Sequence, residues 1–375
     1  MAIESKKMKL LLVSPQVPST KNGGASVMRQ RVLAMQKDFD ITLVSRTKED
    51  IPKKVEGCKK SIIYKKYSAK NFIPFFYITF IKTTFLLYKE LIKEKYPIVQ
   101  LEFYETLYYG LLLRPLQLFL KFKICYTAHD VKYLFFKPNS LKANIAKVTE
   151  KYLMILGCDR VFVWGDDDYK DLTGRKISSS LVRIMPAIFQ EPQRHWKRNK
   201  KTFHFVFCGS HTHIHNWHSV DYLLTQFWPE VKKLSPNSTL FIAGFNKEQL
   251  QEKYDLERVE ALGYVKDFYG LLDKCNFMFN PIVSGTGFRI KTADSYAYGI
   301  PVMTHEMGLR NYTNIDKTKV MCADEKKEQI HWVKKILKKP EILDELSKYE
   351  RKYYRENFSE KNVELYKKYY AELLE

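Results

Sequence analysis

The residues best suited to chemistry lie in one short stretch, GTGFRIKTADSYAYGIP, which begins at Gly285. Glycines let a backbone approach a phosphate closely, and the free N–H groups at the start of a helix point towards an anion. Arg289 and Lys291 add two cations, and alternate side chains of an extended segment point the same way. The stretch therefore predicts a site for a diphosphate, although an ordinary loop would carry the same residues.

Asp294 is placed one turn into the helix that the stretch predicts, where its carboxylate could accept hydrogen bonds from ribose hydroxyls. On a helix without such a ligand, the same carboxylate would face water. The motif is not a P-loop, because the Gly-Lys-Ser/Thr ending is missing, and the chain has no GxGxxG sequence.

The elements around this stretch alternate between strands and helices. A buried strand KLLLV is followed by a glycine turn at Gly23 and Gly24, a helix, and a second strand near residue 41. Further strands are predicted near residues 98, 124 and 160, and His129 follows the one at 124. A lone histidine at such a place is either a ligand-binding residue or a structural one.

The alternating pattern restarts after a basic linker at residues 191–202. A strand FHFVFC leads to Gly209, and strands near residues 240, 261, 276 and 300 follow it. Two such halves predict an α/β fold with two doubly wound domains that face each other across a cleft, with ligands at the carboxyl ends of the strands.

Composition limits the class of protein. The 375 residues are 45% hydrophobic and 28% charged, as in a globular chain of about two domains. The six cysteines show no paired spacing for zinc or redox chemistry, which indicates a reducing compartment, and we expect no cleavable signal. The alternating His211, His213 and His215 could suggest a metal, but we interpret them as incidental and predict no metal site.

The net charge of +21 is unevenly distributed. Residues 1–200 carry 37 Lys and Arg against 18 Asp and Glu, whereas residues 201–375 carry 26 against 24. A one-sided basic half attracts anions such as lipid headgroups, nucleic acid or a phosphorylated acceptor. No nucleic-acid-binding motif is present, so we predict no nucleic-acid partner.

In their order and spacing, these motifs resemble the retaining glycosyltransferases of the GT-B fold, the group 1 or family 4-like enzymes of bacterial envelope polysaccharides. The resemblance extends over nearly the whole chain and includes KLLLVSPQVPSTKNGG, YTAHDV, FVFCGSHTHIHNWH, LFIAGF, ALGYVKD and GTGFRIKTADSYAYGIPV. It implies an acceptor domain at residues 1–190, a donor domain at 200–355, and a last helix at 356–375 that packs back on the first domain.

The resemblance also implies roles for individual residues. Arg289 and Lys291 would stabilise the departing nucleotide diphosphate without a metal or other cofactor, and His129 would lie beside the donor sugar. The catalytic residues would be His129, Arg289 and Lys291, and the donor-binding residues Gly23, Gly24, Gly209, Tyr264, Val265, Gly285, Thr286, Gly287 and Asp294.

Two positions depart from the family pattern. Many relatives carry two glutamates eight residues apart, where this chain has Thr286 and Asp294.

The expected function is retaining transfer of a hexose from a nucleotide diphosphate sugar to a hydroxyl. A GT-B epimerase or hydrolase of the nucleotide sugar, and a non-catalytic protein that binds it, are the alternatives.

The first domain would hold the acceptor, and its basic character predicts a lipid-linked or anionic glycan. Lysines flank an aromatic stretch at residues 71–80, which suits docking of a cytoplasmic protein on the inner membrane face. A core helix with a solvated lysine face would look the same in sequence, and Pro74 and Lys82 make the run a poor transmembrane span.

Overall fold

The computed structural model describes residues 7–19, 23–47, 50–52, 54–65, 74–200, 202–282 and 287–375, with side chains from residue 79 onward in the stretch that begins at 74. The chain forms two compact units. The first comprises Met1–Gln190, Thr286–Phe288 and Glu360–Glu375, and the second comprises Glu191–Gly285 and Arg289–Ser359.

The first unit is built on a seven-stranded sheet of parallel strands, in the order β3-β2-β1-β4-β5-β6-β7. The strands are β1 Met8–Ser14, β2 Phe39–Thr47, β3 Lys60–Lys65, β4 Ile98–Glu102, β5 Lys123–Thr127, β6 Arg160–Val163 and β7 Val182–Ile184. β1 and β4 are buried along nearly their whole length because helices cover both faces of the sheet.

Five helices connect these strands: α1 Gly23–Met35, α2 Pro74–Lys93, α3 Tyr104–Gln117, α4 Leu141–Gly157 and α5 Asp166–Gly174. Side chains of α2, α3, α4 and α5 share one apolar core with one face of the sheet. The other core contains side chains of α1. This division follows from right-handed crossovers, because the chain reverses its direction across the sheet after β3.

The second unit is built on a six-stranded sheet of parallel strands, in the order β10-β9-β8-β11-β12-β13. The strands are β8 His204–Cys208, β9 Thr239–Ala243, β10 Val259–Gly263, β11 Phe277–Asn280, β12 Val302–Thr304 and β13 Met321–Cys322. Its helices are α6 Ile214–Tyr222, α7 Trp228–Leu234, α8 Lys247–Leu250, α9 Phe268–Leu272, α10 Ile290–Tyr298, α11 Lys326–Lys338 and α12 Ile342–Asn357. Together the two sheets confirm the predicted α/β class.

The C-terminal helix α13, Val363–Leu374, belongs to the first unit. Val363, Tyr366, Tyr370 and Leu373 are buried in the same core as α1. The Tyr370 hydroxyl donates to Gln100 Oε1 at 2.8 Å, and this glutamine lies in β4. The last residues of the chain therefore complete a core whose other members come from the first 190 residues.

Several helices and strands differ from the sequence expectations. The strand expected near residue 261 is β10, the third strand after the linker, and it ends at Gly263, so Tyr264 and Val265 lie in the following loop. The helix after β8 begins at Ile214 and passes through a π-helical segment, Leu223–Phe227, before α7. β3, β7 and β13 were not expected, because they are short or lack a continuous apolar run.

Candidate functional site

In the first unit, the strand order reverses between β1 and β4, which is where parallel α/β sheets bind ligands. Gly23 and Gly24 form the first turn of α1 at this point, and Phe103 follows β4. A Cβ atom on Gly24 would lie 3.1 Å from the Phe103 ring, so glycine keeps the helix start close to this aromatic side chain. Phe103 has a φ of 67°, a strained value for a bulky residue and one found mostly at functional sites.

The Phe103 ring stacks on His129, with ring centroids 3.8 Å apart. Trp164 also contacts the imidazole, in an edge arrangement with ring centroids 4.6 Å apart. His129 is 5% exposed, and its Nε2 atom lies 2.6 Å from Glu102 Oε2. The structure thus brings Gly24 and His129 to the same edge of the sheet, with Phe103 between them.

Glu102 also pairs with a buried cation, Arg31. Arg31 of α1 lies 2.5 Å from Glu102 Oε1, and both side chains are almost fully buried. Thr127 also donates to Glu102 Oε1 at 3.3 Å and itself accepts from Gln100. A buried carboxylate is stable only when hydrogen bonds and an opposite charge compensate its lost hydration, and here both are present.

The charges of this group follow from burial and pairing. Burial opposes the charge of the Glu102 carboxylate, but Arg31 and His129 outweigh it, so the pKa of Glu102 lies below its usual value. Burial also lowers the pKa of the His129 imidazole, although Glu102 acts in the opposite direction. At neutral pH the ring is therefore uncharged, and a carboxylate at Nε2 favours the tautomer that has its proton there.

Gly287 and Phe288 belong to the same compact unit as His129. Gly287 has a φ of +75°, and a Cβ atom there would lie 2.6 Å from the His129 carbonyl oxygen and still closer to Asp130. Only glycine fits this position without displacing backbone. Gly285 and Thr286, which the sequence also assigned to the site, lie outside the described residues.

In the second unit the strand order reverses between β8 and β11. The loop after β8 begins at Gly209, where a Cβ atom would lie 2.7 Å from the Asn216 side chain. Asn216, in the first turn of α6, donates to the Ser210 carbonyl at 2.8 Å and accepts from Lys291 Nζ at 3.0 Å. Lys291 therefore joins α10, the helix after β11, to the loop after β8 at the reversal point.

Arg289 and Lys291 were expected on an extended segment with both side chains on one side. This premise is wrong, because α10 begins at Ile290 and Lys291 already lies in its first turn. Arg289 Nε donates to the Met307 carbonyl at 3.2 Å, whereas Lys291 turns towards Asn216 and the Phe207 ring. The two cations nonetheless stay close enough for Arg289 to act on the charge of Lys291.

The electrostatics of Lys291 indicate an anion site. Burial lowers the pKa of its ammonium group, and the positive charge of Arg289 lowers it further. Within the described residues Lys291 forms no salt bridge, and its hydrogen-bond acceptor is the neutral amide oxygen of Asn216. A half-buried lysine beside a second cation is stabilised when an anion binds to both.

The remaining predicted residues lie along the same carboxyl edge of the second sheet. Asp294 is half-buried on α10, one turn after Lys291. Tyr264 is 82% exposed in the loop after β10, and Val265 beside it is half-buried. β10 is an edge strand, so this loop lies at the end of the sheet and not at the reversal point.

The alternating His211, His213 and His215 were interpreted as incidental and not as metal ligands. In the part of the chain that the structure describes, no three His, Cys, Asp or Glu side chains come together as a ligand set. Trp217 Nε1 donates to the His211 carbonyl, and His211 Nδ1 lies 3.2 Å from the Gly244 carbonyl oxygen. These hydrogen bonds stabilise the conformation of the loop between β8 and α6.

Sequence reasoning missed the residues that surround the predicted ones: Arg31, Glu102, Phe103, Trp164 and, as the partner of Lys291, Asn216. One signal was available for Glu102. A charged residue directly after the apolar run of β4, at the carboxyl edge of a parallel sheet, has either a partner or a ligand.

Known proteins are similar to this chain at two levels: a family model matches one segment, and solved structures match the fold of the whole. Residues 202–338 match the family model for glycosyl transferases group 1. No curated protein matches the chain.

Solved structures match it over almost its full length. Sucrose-phosphate synthase from Thermosynechococcus elongatus has a TM-score of 0.76 at 16% identity, covering 97% of this chain and 100% of that one. HepE from Anabaena in complex with UDP has a TM-score of 0.70 at 10% identity, covering 95% and 97%. A glycosyltransferase from Rickettsia africae has a TM-score of 0.68 at 13% identity, covering 99% and 100%.

At these identities the structural similarity establishes the fold, which is the GT-B fold expected from the sequence. The family match confirms the resemblance to group 1 glycosyltransferases for the segment that contains Gly209 and Lys291.

Proposed function

We propose that this chain, with its GT-B fold and its group 1 glycosyl transferase segment at residues 202–338, moves a hexose from a nucleotide diphosphate sugar to an acceptor hydroxyl with retention. The observation that carries this proposal is the cation pair at the start of α10. Lys291 is half-buried, its charge is opposed by burial and by Arg289, and it bonds only a neutral amide among the described residues. A diphosphate would supply the missing negative charge.

The proposed chemistry follows from where charge develops. When the bond between the sugar and the diphosphate breaks, negative charge accumulates on the departing phosphate oxygens. Arg289 and Lys291 would stabilise that charge more than they stabilise the bound donor, which is the condition for catalysis. Two fixed cations can do this without a metal ion, so we propose that the reaction requires none.

In the first unit, His129 would contact the donor sugar as a neutral ring. Its Nε2 atom is engaged by Glu102, which leaves Nδ1 as a hydrogen-bond acceptor for a sugar hydroxyl. The acceptor hydroxyl would attack from the face that the nucleotide leaves, so no protein nucleophile is needed. Gly23 and Gly24, Gly285 to Gly287, and Gly209 would let the backbone approach the donor, and Asp294, Tyr264 and Val265 would contact the nucleoside.

Uridine diphosphate sugars are the first donors to test, because HepE, which has the same fold, has been solved with UDP-glucose. The acceptor is proposed to be a lipid-linked or anionic glycan on the cytoplasmic side of a membrane. The excess of 37 Lys and Arg over 18 Asp and Glu in residues 1–200 supports this choice.

The first test compares the binding of UDP with that of uridine. Lys291→Ala removes a charge-assisted contact to phosphate that is worth about 1.5–3 kcal/mol, so UDP should bind about 10- to 100-fold more weakly. Uridine, which lacks the diphosphate, should bind the variant and the wild type equally. Calorimetric titration gives both constants, and Arg289→Ala should behave in the same way.

Lys334→Ala is the matched control, since Lys334 is exposed on α11 of the same unit. If Lys291→Ala weakened uridine and UDP by the same factor, the assignment of Lys291 to the diphosphate would be refuted. Product analysis with and without acceptor then separates transfer from hydrolysis or epimerisation of the donor. Tight binding of the donor without any turnover would contradict the enzymatic proposal.

A further inference from the structure

The outer side of α4 carries apolar side chains that are more than half exposed. Their exposed fractions are 75% for Leu141, 56% for Ile145, 54% for Val148, 54% for Tyr152 and 56% for Leu156. At about 100° per residue these five positions fall on one stripe along the whole helix. The opposite side of α4 packs on the sheet through Ala146, Leu153 and Met154 among others. The helix is therefore apolar on both sides.

Lysines flank this stripe. Lys142 lies on one side of it, and Lys147 and Lys151 lie on the other, where long side chains can reach past the apolar residues. The acidic residue of α4, Glu150, is buried and pairs with Arg175 at 2.9 Å. The exposed side of α4 therefore presents positive charge and apolar surface together.

Neighbouring elements extend the same surface. α2 exposes Ile81, Phe85 and Ile92, which are also spaced along one side of a helix, with Lys82, Lys89 and Lys93 next to them. α3 packs against both α2 and α4 and exposes Leu111, and the exposed Leu118 directly follows its last residue. The turn before α4, Lys132–Phe135, adds Leu134 and Phe135. We call the exposed residues of α2, α3, α4 and this turn the outer helical surface.

We propose that the outer helical surface docks on an anionic lipid bilayer, with the apolar stripe of α4 at the level between headgroups and acyl chains and its lysines among the phosphates. An amphipathic helix that lies in the membrane plane has this distribution of apolar and basic residues. Among the described residues, no helix is long and apolar enough to cross a bilayer, so the contact is a surface contact.

The charge of the outer helical surface favours a bilayer over a second copy of the chain as the partner that covers it. Exposed charged residues on α2, α3 and α4 are Lys82, Lys89, Lys93, Lys142 and Lys147 against the single carboxylate of Glu105. A symmetric dimer through this surface would place lysines of the two copies near one another, and like charges at an interface oppose association. Anionic headgroups neutralise the same lysines.

The surface differs from the one that the sequence suggested. The aromatic stretch expected to dock was residues 71–80, of which only Thr79 and Phe80 have described side chains, and Thr79 is buried. No prediction was made for residues 141–157, which form α4. Docking is linked to the proposed function in one respect, because a bilayer at this surface would present a lipid-linked acceptor. Docking itself requires no substrate.

Flotation of the full chain with vesicles tests it, using phosphatidylcholine alone and phosphatidylcholine with one quarter phosphatidylglycerol. The wild type should float with the anionic vesicles and should stay behind with the neutral ones. Each lysine near an anionic surface contributes about a fivefold change in partitioning, so Lys142→Glu with Lys147→Glu should reduce binding at least about 25-fold. Ile145→Glu with Tyr152→Glu should abolish it by removing the apolar contact.

The control is Lys334→Glu with Lys338→Glu, which changes the net charge equally on exposed positions of α11. It should float with the anionic vesicles almost as well as the wild type. Equal flotation of wild type and both α4 variants would overturn the proposal, as would equal binding to neutral vesicles. So would a wild-type dimer in sedimentation velocity that dissociates in Ile145→Glu with Tyr152→Glu, because a second copy would then cover the surface.

The test is separable from that of the proposed function. The α4 variants change no residue assigned to the donor site, so consumption of donor with a water-soluble acceptor should equal that of the wild type. If no transfer occurs with any acceptor, the flotation result still decides the docking.

Discussion

At the scale of single residues, the protonation of His129 depends on a carboxylate from another strand. Glu102 accepts at Nε2 and is itself fixed by Arg31, so three side chains from α1, β4 and the end of β5 determine one tautomer. A neutral ring with its proton at Nε2 offers Nδ1 as an acceptor. Glu102 is thus a positioning residue for His129.

Replacing Glu102 with Gln should lower the pKa of His129 further, because the carboxylate is the main influence that raises it. The acid limb of activity that reports this ring should move to lower pH. An amide can donate to Nε2, so the tautomer should switch to the form with its proton at Nδ1. Long-range ¹H–¹⁵N spectra of histidine-labelled protein measure both the titration and the tautomer.

The variant leaves Arg31 buried without its partner, which costs about 3–5 kcal/mol. Arg31→Met combined with Glu102→Gln removes both charges and should recover much of that stability. Because Arg31 lowers the pKa of His129, its removal should offset part of the pKa change, while the tautomer stays switched. An unchanged pKa and tautomer of His129 in both variants would disprove the role of Glu102.

Stability should depend on pH through the same residue. The folded-state pKa of His129 is below its unfolded value, so the unfolded chain binds more protons in the interval between the two values. The contribution to the free energy of unfolding is present above about pH 6.5, where neither state is protonated, and decreases as the pH falls below it. His129→Gln should flatten this part of the denaturation profile measured by urea titration at several pH values. A profile identical to that of the wild type would contradict the depressed pKa.

At the scale of elements, α10 determines where Lys291 lies, and the helix is ended by Gly299. Gly299 has a φ of +93°, which is left-handed, and its N–H donates to the Ser295 carbonyl. The sequence indicates this end, since glycine is followed by Ile300 and Pro301. It could not predict where the helix begins, because Arg289 and Ile290 have no strong preference between an extended and a helical backbone.

Gly299→Ala should destabilise the second unit by more than about 1 kcal/mol. Alanine disfavours the left-handed conformation by about 1–2 kcal/mol, and its Cβ would lie 2.5 Å from the Arg351 side chain. Gly174 provides the control, because no heavy atom lies within 4 Å of a Cβ built there at the end of α5. Gly174→Ala should be neutral or slightly stabilising. Urea denaturation of both variants decides this, and equal stabilities would refute the argument.

At the scale of the whole molecule, the sequence predicted what periodic patterns encode. Apolar runs separated by helical segments gave an α/β fold, and parallel topology then placed Gly24, His129 and Gly209 at carboxyl edges. Contacts between distant elements were not predictable in this way. Arg31, Glu102 and His129 are separated by 71 and 27 positions, and no local pattern pairs them.

The outer helical surface is a second feature that a periodic sequence pattern does not predict. A helix with one apolar side is assigned to the core, and α4 satisfies that expectation with Leu153 and Met154. Its exposed apolar stripe is visible only once the buried side is known. Exposure, which depends on the neighbouring elements, is therefore the property that sequence alone did not supply.

Tyr370 of α13 allows a test of whether the two units unfold separately. Tyr370 is fully buried and packs edge-on against Phe39 at 5.8 Å, and its hydroxyl bonds Gln100. Tyr370→Ala should cost the first unit about 3–5 kcal/mol through the cavity it leaves. Tyr370→Phe should cost only about 1–3 kcal/mol, since it keeps the ring and leaves the side-chain oxygen Oε1 of Gln100 without its donor.

Hydrogen exchange followed by mass spectrometry can locate the loss. Protection should fall in β1, β4 and β5 of the first sheet, because these strands share the core that Tyr370 completes. β8, β9 and β11 belong to the second unit and should keep their protection. An equal decrease in both sheets would mean that the chain unfolds as one cooperative body, and α13 would then stabilise the whole protein instead of the first unit.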